Sequence, residues 1–168
     1  MQRRTLLALG LVTGTAVTAA GTALGWLAPA RRSGRLQSGP SAVMTAVAEA
    51  VLDGALPTDP SARAQALAAH LARLERTLSG LPPTMQAEVD QLLSVLASPA
   101  GRIGLAGLAS PWHQATPQQL SAALQGLRSS SLALRQQTYR ALRDLTNSAY
   151  FADVTTWPVL GYPGPVSV

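Results

Sequence analysis

Few side chains in this sequence combine the type and the spacing that chemistry requires. The two histidines, His70 and His113, lie far apart along the chain, and neither has a carboxylate or a second histidine at metal-ligand spacing. Glu88 and Asp90 stand two residues apart on a predicted helix, so their carboxylates point in different directions and do not form an acid/base pair. No serine lies in a nucleophile elbow, no glycine-rich loop follows a strand, and there is no cysteine. We therefore expect no catalytic, metal-binding or cofactor-binding residue on this chain, and we expect that it is not an enzyme by itself.

Candidate binding residues gather instead at the C-terminal end. Four of the seven aromatic residues fall within residues 150–168, among prolines and glycines that rule out a regular helix. An extended segment of this kind has little backbone entropy to lose and large rings to bury, which suits docking on a partner. In the alternative, the segment folds back over its own helices and completes their core. The sequence does not decide between docking on a partner and packing on the chain itself. With Tyr139 from a second apolar strip of the last predicted helix, the predicted partner contacts are Tyr139, Tyr150, Phe151, Trp157, Pro158, Gly161 and Tyr162.

The first 30 residues have the pattern of an export signal, with a positive start, an apolar stretch and a small-x-small exit. The two arginines followed by Thr5 and two leucines resemble a twin-arginine signal, and Ala28-Pro29-Ala30 offers cleavage after Ala30. The stretch from Thr5 to Pro29 has no charged residue and is long enough to cross a bilayer, so a permanent anchor is the alternative. The residues predicted to carry the signal are Arg3, Arg4, Leu6, Leu7, Ala28 and Ala30. Either interpretation predicts a periplasmic protein exported by the twin-arginine translocase, free or attached to the outer side of the inner membrane.

The net charge of +5 is concentrated in the first 35 residues. Five of the 13 basic residues lie within residues 1–35, and the other eight equal the eight acidic residues, so residues 36–168 are formally neutral. We therefore expect no basic patch able to displace counterions from phosphates, and no binding of nucleic acid.

The elements that must carry these residues have the period of helices. Apolar residues recur at spacings of three and four, as in Leu67, Leu71, Leu74 and Leu78, and no useful stretch alternates with a period of two. The sequence predicts an all-α single domain of five or six helices. The expected division is a signal peptide or anchor over residues 1–30, a linker over 31–40, a helical domain over 41–149 and an extended tail over 150–168.

Capping signals locate several helix starts. Asp59 before Pro60 pairs a capping carboxylate with a first-turn proline, and residues 116–119, Thr-Pro-Gln-Gln, have the form of a capping box. A first helix is expected over Ser41 to Leu52, and a short packed or irregular helix in the glycine-rich stretch after Ser98. A third helix is expected to bury Met85, Val89, Leu92, Leu93 and Leu96, and the last one, about Ser130 to Asn147, is expected to bury Leu134, Ala141, Leu142 and Leu145.

Three features together resemble the gluconate 2-dehydrogenase subunit 3 family. They are the leading arginine pair, the early "LDGALP", and the closing "LRDLTNSAYFADVTTWPVLGYPGP". The resemblance extends loosely over Met44 to Pro165 and is specific mainly at Tyr150-Phe151, Trp157-Pro158 and residues 161–164. Ala55-Leu56-Pro57 stands where family members often carry an apolar residue, Leu and Pro.

The resemblance implies the role of a small exported subunit of a flavin-dependent sugar or polyol dehydrogenase. The large subunit would hold FAD and perform the hydride chemistry, often passing electrons to a c-type cytochrome subunit. This chain would carry the export signal, so that the folded large subunit crosses the membrane with it. The expected function is thus a non-catalytic accessory subunit that escorts or stabilises the flavoprotein. The alternative is a membrane-anchored periplasmic structural or binding protein unrelated to redox chemistry.

Overall fold

The computed structural model describes residues 28–162 and Gly164, and most of them lie in helices. The predicted all-α single domain is confirmed. The helices of the described residues are α1 (Ser38–Val51), α2 (Pro60–Ser79), α3 (Pro83–Ala97), α4 (Pro99–Gly104), α5 (Pro117–Arg128) and α6 (Ala133–Phe151). Two 3-10 helices cover Trp112–Gln114 and Val154–Leu160, and one antiparallel hairpin pairs β1 (Arg31–Arg32) with β2 (Arg35–Leu36).

Local capping explains where two of these helices begin. The Asp59 carboxylate accepts a hydrogen bond from the Ala62 N–H at 2.8 Å, with Pro60 in the first turn of α2. At α5, the Thr116 hydroxyl accepts from the Gln119 N–H at 3.3 Å, and the Gln119 amide oxygen accepts from the Thr116 N–H at 2.9 Å. Both predicted caps are confirmed, because a cap is read from residues close together in the chain.

Helix α1 lies at the centre of the domain. It contacts α2, α3, α5, α6 and the 3-10 turn at Trp112. Its alanines allow close packing, and its fully buried large side chains include Val43, Met44 and Val47. A Cβ atom at Gly39, near its start, would lie 3.1 Å from the Ala97 methyl group of α3, so the two helices pack tightly there. The helix begins at Ser38, three residues earlier than predicted.

Helix α4 folds back sharply on the end of α3. The Ser98 hydroxyl accepts the Gly101 N–H at 3.0 Å and caps it. A Cβ atom at Gly101 would overlap the carbonyl group of Val95 and lie 2.6 Å from its Cγ1. The glycines that weaken this helix in the sequence therefore include one that the turn requires, and the predicted short helix is confirmed.

The segment predicted as a linker over residues 31–40 is instead structured, and that prediction was wrong. The Arg31 guanidinium forms two hydrogen bonds with the Asp90 carboxylate of α3, at 2.6 and 2.9 Å, and one with the Gln86 side chain at 2.9 Å. The Leu36 N–H donates to the Glu75 carboxylate at 2.9 Å. These partners lie 39 to 59 residues away in sequence, so no local signal reports them.

Two apolar residues that were predicted to be buried are exposed, so those two predictions were wrong. Met85 is 48% exposed and Leu134 is 52% exposed, although both continue the apolar periodicity of their helices. Each lies in the first turn of its helix, where the apolar face runs out to solvent. Helix α6 instead buries Thr138, Leu142 and Thr146, one residue per turn.

Candidate functional site

The candidate site is the C-terminal segment, Asp153–Tyr162, which follows α6. Helix α6 continues through Phe151, two residues beyond the predicted domain boundary, and Val154–Leu160 forms a 3-10 helix. The prediction of an extended tail from Tyr150 was therefore wrong over these residues. Pro158 lies inside this 3-10 helix. The helix is short and its hydrogen bonds span only three residues, so the missing N–H of proline interrupts little of it.

Arg73 of α2 holds the beginning of this segment. Its Nε donates to the Ala149 carbonyl at 2.9 Å, and its Nη1 donates to the Asp153 carboxylate at 2.9 Å. One guanidinium therefore satisfies a free carbonyl near the end of α6 and the first side chain of the segment. Because the guanidinium is planar, two bonds to separate groups fix its direction as well as its position.

Asp153 also caps the 3-10 helix. Its Oδ1 accepts hydrogen bonds from the Thr155 hydroxyl at 2.6 Å and from the Thr155 N–H at 3.0 Å. These hydrogen bonds, together with the charge of Arg73, hold the pKa of the Asp153 carboxyl below its ordinary value. The carboxylate stays ionised and keeps both contacts across the neutral pH range.

Trp157 fixes the position of the middle of the segment. Its indole N–H donates to the Phe151 carbonyl at 2.8 Å, and its ring lies 5.4 Å from the Tyr162 ring, centroid to centroid. Gly161 ends the 3-10 helix with a φ of 70°, in the left-handed region that glycine adopts without strain. The turn brings the Tyr162 N–H within 3.3 Å of the Trp157 carbonyl.

The anchored segment presents apolar side chains to solvent. Eight large hydrophobic side chains are exposed in the described residues, and four of them belong to this segment: Val154, Val159, Leu160 and Tyr162, at 60, 54, 60 and 48%. Pro158 is exposed between them. Half of the exposed large hydrophobic residues thus fall on one short, internally bonded piece of backbone.

The predicted contact residues divide between this surface and the interior. Tyr150 is only 4% exposed; its ring packs with the buried Leu67, and its hydroxyl donates to the Ala55 carbonyl at 2.9 Å. Burial raises the pKa of the Tyr150 phenol. The assignment of Tyr150 to the partner surface is therefore corrected, and it completes the core as the alternative interpretation expected.

The other predicted contacts lie at the surface or at its edge. Phe151 and Trp157 are half-buried, whereas Pro158, Gly161 and Tyr162 are exposed. Tyr139 lies eleven residues before Tyr150 on α6, about 17 Å along the axis. Tyr139 packs against the core cluster that contains Val43 and Leu142. It lines a part of the surface outside the C-terminal segment.

His70 is fully buried. Its side chain has no exposed surface, neither ring nitrogen has a hydrogen-bond partner among the described residues, and its ring centroid lies 6.3 Å from that of Tyr150. Burial, aided by the nearby charge of Arg73, lowers the pKa of His70 to about 4. The imidazole is therefore neutral in the folded protein. His113 lies exposed in the 3-10 turn after Trp112.

Two residues of the site were missed in the sequence. Asp153 two residues before a threonine is a recognisable capping pattern and could have been found. Arg73 could not, because its partners lie 76 and 80 residues away and it looks like any arginine beside a leucine stripe.

The predicted export residues are only partly described. Arg3, Arg4, Leu6 and Leu7 lie outside the described residues. Ala28 is exposed, while Ala30 is 2% exposed and its carbonyl accepts the Gln37 N–H at 2.8 Å. Within residues 28–162, no helix has the length and hydropathy of a bilayer-crossing segment.

Comparison with known proteins does not assign the chain to a family. No family model, no curated protein and no solved structure matches it. A functional assignment for this chain therefore depends on the geometry of the described residues and on its sequence patterns.

Proposed function

We propose that this chain is a non-catalytic accessory subunit of an exported FAD-dependent sugar or alcohol dehydrogenase. It docks on the flavoprotein large subunit through the C-terminal segment and carries that subunit through the twin-arginine translocase into the periplasm. A c-type cytochrome is a further partner of such a complex. FAD is bound by the large subunit, and this chain supplies no cofactor ligand.

The observation that carries the proposal is the exposed apolar surface of the C-terminal segment. Exposed apolar side chains that lie close together are unusual on a monomer and are typical of surfaces that bind other proteins. Here Val154, Val159, Leu160 and Tyr162 share a few turns of backbone. Their burial against a partner would supply the hydrophobic part of the binding free energy.

The internal bonds of the segment favour binding further. Arg73, Asp153 and Trp157 already fix its backbone, so less conformational entropy is lost when a partner binds. A segment that served only to cover the core would have its apolar side chains turned inward.

Two sequence features support the identity of the partner. The leading arginine pair is typical of the route that exports folded, cofactor-loaded proteins, and a small helical domain alone has no need of that route. The closing motifs from Tyr150 to Gly164 resemble small subunits of flavin-dependent dehydrogenases. Both features indicate cargo that folds around a cofactor before export.

The alternative function, a membrane-anchored structural or binding protein unrelated to redox chemistry, is favoured by one specific observation. Ala30 is buried and Arg31 is fixed by Asp90 and Gln86. Cleavage after Ala30 in the folded protein would have to open this contact. A leader that is kept would hold the domain at the membrane whether or not it has a flavoprotein partner.

Affinity purification from the native host tests the proposal. The full chain, tagged after Val168 and extracted in mild detergent, should bring down a yellow protein with flavin absorbance. The double variant Val159→Ser with Leu160→Ser should lose that protein while keeping its helical circular dichroism. The matched control, Met85→Ser with Ile103→Ser, changes side chains of similar exposure elsewhere and should retain it. Recovery of the wild-type chain from membranes without flavin would refute the proposal and favour the alternative.

A further inference from the structure

A continuous furrow crosses α1, α5 and α6. Three adjoining cavities form it, of about 340, 290 and 270 Å³. The first and middle cavities share Ala50 and Ser121 in their walls, and the middle and last share Tyr139 and Arg143. None of the lining residues belongs to the C-terminal segment, so the furrow is a separate surface.

The two ends of the furrow carry opposite charge. Glu49 of α1 and Asp53, two residues after the end of α1, line the first cavity together with Arg63, so this end has two acidic residues against one basic residue. Arg128, Arg140 and Arg143 line the last cavity. The formally neutral charge of residues 36–168 therefore hides a separation of charge. The three arginines come from α5 and α6, which meet at this end of the furrow.

Most of these charges have no ionic partner within the described part of the chain. The ion pairs there are Arg31–Asp90, Arg35–Glu75, Arg73–Asp153 and Arg143–Asp144. Only Arg143 of the furrow is among them, paired with its exposed neighbour. Among the described residues, the charged side chains of the furrow without an ion pair are Glu49, Asp53, Arg63, Arg128 and Arg140. In contrast, Arg31 and Arg35 of the hairpin and Asp153 of the C-terminal segment are paired internally.

The middle cavity is suited to a peptide. Its lining is mainly polar: Gln125 and Asn147 present side-chain amides, and the apolar part comes from Val51, Leu124 and the ring of Tyr139. Amides can donate to and accept from peptide groups. The half-buried Tyr139 ring offers an apolar surface beside these amides.

The charge pattern selects among kinds of ligand. A lipid headgroup surface or a nucleic acid carries negative charge throughout, and would meet repulsion from Glu49 and Asp53 in the same furrow. Like charges brought together at an interface are unfavourable. A segment with a carboxylate at one end and a basic side chain at the other satisfies both ends.

We infer that the furrow binds an extended segment of a partner protein. The segment carries Asp or Glu against Arg128, Arg140 and Arg143, Arg or Lys against Glu49 and Asp53, and an apolar residue between them at Tyr139. The inference does not depend on the proposed function, since the furrow can bind such a segment whatever the partner does.

Fluorescein-labelled peptides test this with the purified full chain in mild detergent. Each of three ten-residue peptides has a central leucine; the first has Glu at one end and Arg at the other, the second Glu at both ends, and the third Arg at both ends. Fluorescence anisotropy should rank the first peptide tightest. Arg128→Glu with Arg140→Glu should weaken it about tenfold, since two ion pairs become repulsive, and should make the peptide with Arg at both ends the preferred one.

The control variant has the same change in net charge elsewhere. Arg35→Glu with Arg76→Glu alters two exposed arginines outside the furrow and should leave the ranking of the peptides unchanged. Equal binding of all three peptides by the wild-type chain would overturn the inference. So would binding of phosphatidylglycerol vesicles that the Arg128/Arg140 variant loses while its peptide binding is unchanged, because the arginines would then serve a membrane.

Discussion

The buried imidazole of His70 makes the stability of this protein depend on pH in a defined window. His70 has no exposed surface and no hydrogen-bond partner among the described residues. It faces Tyr150, whose hydroxyl is bonded to the Ala55 carbonyl, and Arg73, whose guanidinium is bonded to Asp153. A protonated ring would lose its hydration in this buried site and would be repelled by the charge of Arg73, so protonation is unfavourable.

The pKa of His70 sets the magnitude. It is about 4 in the folded protein, against an ordinary value of 6.5. The unfolded chain therefore binds more protons between these values, and the free energy of unfolding falls as the pH falls from 6.5 to about 4. The full difference corresponds to about 3 kcal/mol, of which about 2 kcal/mol is lost between pH 7 and pH 5.

Urea unfolding followed by far-ultraviolet circular dichroism measures this loss. The full chain is compared at pH 7 and pH 5 with His70→Leu, which keeps an apolar side chain of similar size at the site. The variant should lose about 2 kcal/mol less than the wild type over the same range. The pKa of Asp153 lies below its ordinary value of 3.8, so this carboxylate contributes below the window.

The matched control is His113→Leu, which removes the exposed histidine and should keep the wild-type difference between the two pH values. Parallel pH profiles of the wild type and His70→Leu would refute the reasoning, because the ring would then titrate alike in the folded and unfolded chains.

Three further outcomes follow from the packing. Gly101→Ala should lower the free energy of unfolding by about 1–3 kcal/mol in the same urea assay, because its methyl group meets the backbone of α3; an unchanged urea midpoint would contradict the tight turn. Tyr150→Phe should lose about 1 kcal/mol, since the Ala55 carbonyl loses its buried donor, and a loss no larger than that of the exposed Tyr162→Phe would contradict this. Intact mass of the exported protein should show no cleavage after Ala30, because that residue is buried; a chain beginning at residue 31 would show that processing precedes folding of the hairpin.

Local sequence patterns determined most of the helices of this protein. The caps at Asp59 and Thr116 and the leucine stripe of α2 depend on residues within one or two turns of each other. Such interactions form with little dependence on the rest of the chain. The short helix after Ser98 was also expected, although the reason for its glycine at 101 needed the position of Val95.

The candidate surfaces needed the tertiary structure. The anchor between Arg73 and Asp153 joins residues 80 apart, and the burial of Tyr150 depends on where α1 and α2 lie. The aromatic tail was recognised in the sequence as a place of contact, but the sequence did not show which rings face inward.

There is a physical reason why some features could be predicted from the sequence and others needed the tertiary structure. Composition and periodicity established helices, a neutral domain after residue 35 and an aromatic C-terminal end, because these are properties of neighbours along the chain. Only packing decided that His70 is buried and that residues 31–36 form a bonded hairpin. Packing likewise places Glu49 at one end of a furrow and arginines of α5 and α6 at the other. Those facts depend on contacts between distant residues, which the order of the amino acids specifies only through the whole fold.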